Sequence, residues 1–216
     1  LYVPEGTLAQ YEASKGWTMF AGRYEGEHME TIVDGLKYTY VPSSRIATIV
    51  AGDYSELRKV TIPGDIEING LSYQVKEIAA NAFANCSQID TILFENGIEK
   101  IGNVAFSWCN NTEFGTLPSS LKTIGDQSFW NCNSFKNLNL PEGLESIGSY
   151  AFGACHNLKK VVLPSTLTSL GQMVFQSSDK LSTVISHIQE PFEIDMRVFT
   201  TNVRWDEEAQ KEIYTP

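Results

Sequence analysis

The chain has 216 residues, 42% of them hydrophobic and only 19% charged, and its formal charge is −10. That balance builds a packed core rather than a disordered chain. The acidic excess, with no basic run, removes the electrostatic ground for binding nucleic acid or an anionic membrane surface, and no apolar stretch approaches the ~18–20 residues of a membrane span.

From the N-terminus, Leu1-Tyr2-Val3-Pro4 reads as the middle of a strand. No charged or apolar leader region opens the chain, so no signal peptide is read from it. Thr7 is placed to N-cap a short helix running through Lys15, with Gly16 just past its end. Strand-like runs follow between Thr31 and Val50, among them Tyr38-Thr39-Tyr40-Val41 and Ile46-Ala47-Thr48-Ile49-Val50. Val60-Thr61-Ile62-Pro63 is a further short strand. After it, Ile66 and Ile68, then Asn69-Gly70, then Leu71, Tyr73 and Val75 predict a hairpin, because Asn-Gly between alternating runs is a strong two-residue turn signal. Residues 27–76 are therefore expected to form an N-terminal β flank that caps the remainder of the chain.

Beyond this flank the sequence repeats. Phe83, Phe106, Phe129, Phe152 and Phe175 stand 23 residues apart, and Phe199 comes after 24. Cys86, Cys109, Cys132 and Cys155 keep the same period, three residues after each Phe, with Ser178 next in register. Ile78, Ile101, Ile124, Ile147 and Leu170 form a third row, and Val75, Ile98, Leu121, Leu144 and Leu167 a fourth. Gly102, Gly125, Gly148 and Gly171 follow four members of the Ile/Leu row. Short alternating runs ending in Pro, such as Leu138-Asn139-Leu140-Pro141 and Val161-Val162-Leu163-Pro164, predict one half-buried strand per unit. A single unit cannot bury its own Phe, Ile and Leu. Stacked units place equivalent apolar positions over one another, so a fixed period of this length predicts a solenoid. Regular coils are expected over 75–199, with the hairpin inserted ahead of Val75.

These residues resemble the BspA-like leucine-rich-repeat family of bacterial surface proteins. The family pattern is nearly whole in Ile147-Gly148-Ser149-Tyr150-Ala151-Phe152-Gly153-Ala154-Cys155-His156-Asn157-Leu158-Lys159-Lys160-Val161-Val162-Leu163-Pro164. The match runs over about residues 57–199. Ser178 for Cys, Thr112 for Leu and Val174 for Ala depart from it and suggest local looseness. The resemblance implies an α/β-type solenoid, mostly β and irregular, wound as a right-handed leucine-rich-repeat coil with short parallel strands and an N-terminal β-hairpin cap. Residues 1–26 look like the tail of a preceding module or a linker, which implies end-to-end contacts between modules. Residues 200–216 are left as a C-terminal segment, where Asp206-Glu207-Glu208 reads as a helix start.

The register also absorbs the residues that suggest chemistry. Gly97 with Gly102, and Gly143 with Gly148, mimic part of a phosphate loop, but neither pair is followed by Lys. The cysteine spacing lacks the paired ligands of a zinc site. Cysteines stacked one coil apart read as a ladder of buried thiols rather than disulfides. His156 is expected in a solvent-facing turn. Asn85-Cys86-Ser87 and Asn110-Asn111-Thr112 match glycosylation sequons but read as turn asparagines. No catalytic residue, metal or cofactor is expected.

What remains is surface. Strand residues between core positions should point outward: Thr91 and Leu93, Phe114 and Thr116, Asn137 and Asn139, Lys160 and Val162, Thr183 and Ile185. Trp108 and Trp130 are expected to share an exposed edge. The resemblance implies a bacterial cell-surface or extracellular adhesion module that engages a protein or glycan on a host or neighbouring cell. The competing reading is a spacer in a tandem array, with no specific ligand.

Overall fold

The computed structural model describes residues 28–189, 192–195 and 197–199 in full, and four further strands by backbone pairing alone. Those four are Tyr2–Val3 (β1), Tyr24–Glu25 (β2), Asn202–Asp206 (β18) and Lys211–Thr215 (β19). The β1–β2 pair is parallel and the β18–β19 pair antiparallel. Asp206 thus ends a strand where a helix start was expected; Glu207 and Glu208 lie outside the described residues. So do the helix expected from Thr7 to Lys15 and the packing of the segment 1–26.

The N-terminal flank is Met29–Val33 (β3), Leu36–Val41 (β4) and Ile46–Ile49 (β5), an antiparallel meander. Lys59–Ile62 (β6) comes next, then the hairpin of Asp65–Ile68 (β7) and Leu71–Ile78 (β8). Asn69 and Gly70 take φ of 53° and 75° at its turn, the left-handed pair that such a tight hairpin needs.

Each coil then carries two short strands, not the one expected. The Pro-terminated runs give Thr91–Phe94 (β9), Glu113–Phe114 (β11), Asn137–Asn139 (β13), Lys160–Leu163 (β15) and Thr183–Ser186 (β17). The Ile/Leu row gives Lys100–Ile101 (β10), Thr123–Ile124 (β12), Ser146–Ile147 (β14) and Ser169–Leu170 (β16). The latter pair in parallel and in register, Ile78 to Ile101 to Ile124 to Ile147 to Leu170. β5 extends this sheet, setting Ile49 beside Ile78, so the flank continues the Ile row and covers its first member. Among the described residues there is no helix.

A third set of inter-coil bonds runs at the corners two residues either side of each Phe. Val104 and Trp108 have φ of 62° and 66°, and the equivalent residues around Phe83, Phe129, Phe152 and Phe175 are also left-handed. The turn aims each corner N–H at the next coil: Val104 donates to the Asp126 carbonyl and Trp108 to that of Trp130, both at 2.8 Å.

Between these three lines the side chains stack. The Phe rings form a column, with Phe83, Phe106, Phe129 and Phe152 at centroid spacings of 5.3, 5.2 and 5.2 Å. Phe175 and Phe199 continue it at 6.0 and 5.6 Å. The thiols of Cys109, Cys132 and Cys155 are buried and donate to the carbonyls of Phe83, Phe106 and Phe129 at 3.2, 3.1 and 3.4 Å. Ser178 does the same with its hydroxyl, 3.0 Å from the Phe152 carbonyl. The departures from the repeat are therefore not loose. Ser178, Thr112 and Val174 are all buried, and the Thr112 hydroxyl donates to the Ile89 carbonyl at 2.8 Å. The glycine row exists because the coils touch there: a Cβ on Gly148 would lie 2.5 Å from the Asp126 amide nitrogen.

Candidate functional site

The strands of the Pro-terminated runs form the face expected to carry binding. Its residues do not share one environment. Leu93, Thr116, Asn137, Asn139, Thr183 and Ile185 are exposed, Leu93 by 49%. Thr91, Lys160 and Val162 are half-buried. Asn139, Val162 and Ile185 are direct neighbours across β13, β15 and β17. Leu93 and Thr116 stand at the equivalent sequence positions, and all five are uncharged in a chain where 42 residues carry charge, although Leu93 itself lies against Gly115.

Phe114 does not point outward. It pairs with Ile92, a step of 22 rather than 23 residues, and so takes the inward register. Its ring lies edge-on to Phe106 and Phe129, at 5.4 and 5.3 Å, and stacks on Phe135 at 5.1 Å with 9° between planes. The cause is local volume. Thr112 stands where other coils place Ile89, Phe135 or Leu158, and Gly115 where they place Ile92, Leu138 or Val161. Two large side chains are missing from that coil, and the Phe114 ring fills the space.

The shift breaks the sheet. β6, β9 and β11 form one ladder and β13, β15 and β17 another, with no pairing between β11 and β13. No backbone hydrogen bond joins residues 112–117 to 135–139. Glu113 and Gly115 donate back to Asp90 and Ile92, both at 2.8 Å. Alternation along the strand therefore turns the N–H and C=O of Phe114 and Thr116 the other way, towards β13. At the break is a cleft of about 170 Å³, lined by Phe114 to Leu117, Phe135 and Asn137 to Asn139. Sequence reading missed it, although Gly115 in a row of Ile, Leu and Val was the available signal.

The two tryptophans also separate. Trp108 is 49% exposed at its left-handed corner. Trp130 is half-buried and packs into the next coil. Its ring meets Tyr150 edge-on at 6.0 Å, and a Cβ on Gly153 would come within 2.3 Å of its Cζ3. Trp130 thus fastens adjacent coils and does not share a free edge with Trp108.

Elsewhere the titratable groups serve the stack. Burial pushes the thiols of Cys109 and Cys155 up to about 12 and raises that of Cys132 as well, so all three stay protonated and unreactive. Cys86, at the start of the column, is half-buried, and burial also raises its thiol. Exposed His156 lies 3.1 Å from Asp179 one coil away. The Glu99 carboxylate bridges Lys76 and Lys122 at 2.9 and 3.3 Å, and their hydrogen bonds lower its pKa. An apolar cavity of about 260 Å³ lies at the last coil, lined by Leu163, Leu170, Val184, Ile188, Phe192 and Phe199 among others.

Comparison with known proteins agrees with this architecture. The model of the BspA type leucine rich repeat region matches residues 76–202 in six copies. A leucine-rich repeat protein of Bacteroides ovatus is similar in structure, with a TM-score of 0.65 and 27% identity; the match covers 72% of this chain and 40% of that one. The leucine rich repeat protein of T. pallidum gives a TM-score of 0.64 at 28% identity, over 72% of this chain and 71% of that one. The pneumococcal vaccine antigen PcpA shares the fold at 18% identity, with a TM-score of 0.50, over 76% of this chain and 51% of that one. No curated protein matches. The six matched copies span more than half of the sequence, and the chain belongs to the BspA-type leucine-rich-repeat family.

Proposed function

We propose that this chain is a binding and adhesion module displayed on a bacterial surface, and that its strand face engages a macromolecule of a host or neighbouring cell. One observation carries the reading: Asn139, Val162 and Ile185, neighbours across β13, β15 and β17, together with Leu93 and Thr116 before the break, are uncharged and, Val162 apart, solvent-facing, and the coil does not need them. Core packing uses the alternate positions, so these five sites were free to be charged. Contiguous apolar and amide surface on a soluble solenoid marks an interaction surface, and a rigid stack offers it as many weak contacts in fixed register. Surface display rests on the family, and on relatives such as a protein named as a vaccine antigen.

The test is binding of the purified chain to immobilised matrix proteins and glycans. Leu93→Asp and Ile185→Asp should reduce the signal, and Thr123→Asp on the other sheet should not. Equal binding by all variants would remove the face from the account. Absence of binding to any partner would favour the spacer role.

A further inference from the structure

We infer that the cleft between β11 and β13 is a carbohydrate subsite that takes one uncharged sugar unit of a glycan. This deepens the reading of the chain as a binding module and rests on it.

The argument begins with backbone accounting. In the intact ladders the outward-turned amide and carbonyl groups of one strand bond to the next coil. At the break those of Phe114 and Thr116 face those of Asn137 and Asn139 with no hydrogen bond between them. Such groups are left to water or to the hydroxyls of a ligand that displaces it. The side chains at the rim add to them. The Thr116 hydroxyl and the carboxamides of Asn137 and Asn139 are exposed and make no hydrogen bond among the described residues. Phe114 and Phe135, stacked at 5.1 Å, give the cleft its apolar lining.

Three features narrow the occupant. No ionisable side chain lines the cleft, although the chain is acidic overall, so it selects neither a cation nor an anion. Hydroxyls, carboxamides and peptide groups each supply donors and acceptors together, and this mixed set matches the hydroxyls of a sugar. A peptide strand bonded to both edges would have to part β11 and β13 to about twice the ~4.8 Å strand spacing, and a ring wedged between the coils is refused for the same reason; a single ring seated over the rim is not. The other sheet runs unbroken through the same coils, from Ile101 to Ile124 to Ile147, and clamps them together. The cleft's volume, about 170 Å³, lies below the ~300–1,000 Å³ of pockets for drug-sized ligands and suits a single ring.

The experiment is a titration of the full isotope-labelled chain, followed by NMR. The probes are glucose, galactose, mannose and N-acetylglucosamine, with glucuronic acid and glucosamine as charged controls. A neutral sugar should shift the backbone amides of Phe114, Thr116, Asn137 and Asn139, and the charged controls should not. Removing rim groups in Thr116→Val with Asn139→Ala should weaken binding roughly tenfold, the loss expected for one or two hydrogen bonds. Both sites are exposed, and an unchanged circular dichroism spectrum would show the variant folded.

If no neutral sugar moves these amides, or if the charged controls move them equally, the subsite is overturned. Face-dependent binding to a matrix protein would then still uphold the module reading. Loss of both results overturns both.

Discussion

Tyr54 stacks on Phe83, with ring centroids 4.8 Å apart and 25° between the planes. Tyr54 is buried, and its hydroxyl donates to the Val50 carbonyl and accepts from the Lys37 amide. It stands outside the 23-residue register, yet it closes the Phe column at its first ring and ties that ring to the flank. Tyr54→Ala should therefore cost about 3–5 kcal/mol, as for other buried aromatics. Tyr54→Phe keeps the stack, loses the hydroxyl bonds, and should cost about 1 kcal/mol. Urea unfolding followed by circular dichroism separates the two; equal losses would show that the hydroxyl, not the ring, is the cap.

Within the column, position sets the penalty. Phe129 touches four rings, those of Phe106, Phe114, Phe135 and Phe152. Phe175 touches two, those of Phe152 and Phe199. Both are fully buried, so burial alone would rank them equal. Phe129→Ala should fall near the top of the ~3–5 kcal/mol range and Phe175→Ala near the bottom. Equal urea midpoints for the two variants would contradict this ranking.

The orientation of Phe114 is open to the same test. Leu93 and Phe114 stand at strand positions that sequence alternation treats alike, but only Phe114 packs into the core. Phe114→Ala should lower stability by about 3–5 kcal/mol, whereas Leu93→Ala should change it by no more than about 0.5 kcal/mol. Comparable effects from the two substitutions would return Phe114 to the surface.

These residues show how much was legible in the sequence. Period alone located the Phe, Ile and Cys columns, because identical coils must stack identical positions, and Asn69-Gly70 located the hairpin. Three things escaped. The Ile row forms strands only by pairing with its neighbours, and two-residue strands leave no alternation to read. Tyr54 acts from outside the period. The inward turn of Phe114 results from volumes missing at Thr112 and Gly115, which is a property of packing and not of pattern. That last omission hid the cleft, so the candidate site was less legible than the fold that holds it.

The thiol ladder makes stability depend on alkaline pH. Burial holds Cys109 and Cys155 near 12, against an ordinary 9, and raises Cys132 too. The folded chain keeps these protons when the unfolded chain releases them. Their stabilising contribution is therefore complete below about pH 9 and falls as pH rises from 9 towards 12, by up to ~1.4 kcal/mol per pH unit for each thiol. Replacing the three by Ser, which already does the same work at Ser178, should remove that slope relative to the parent chain. Below pH 9, Ellman's reagent should modify Cys86 alone until the chain unfolds. Early labelling of Cys132, or parallel pH profiles for parent and variant, would count against a sealed ladder.

The corners of the coil at Phe106 hold a different tension. Elsewhere three left-handed corners are Asn81, Asn85 and Asn131, and Asn tolerates that conformation, while Gln127, Tyr150, Ala154, Met173 and Ser177 hold the others. Here Val104 and Trp108 occupy them, at φ of 62° and 66°. A β-branched and a bulky aromatic residue are both disfavoured there, by roughly 1–2 kcal/mol each. The backbone bonds to Asp126 and Trp130 need only the corner geometry, so an Asn should form them with less strain. Val104→Asn and Trp108→Asn should each raise stability, by about 1 kcal/mol, as an upward shift in the thermal midpoint. Val104 should gain less, because it is half-buried and gives up apolar contact. For Trp108, half-exposed, a more stable variant that binds surface ligands less well would mean that the strain is kept for recognition. A Trp108→Asn chain that is less stable than its parent would instead mean that the ring stabilises its own corner, and the strain would need no functional explanation.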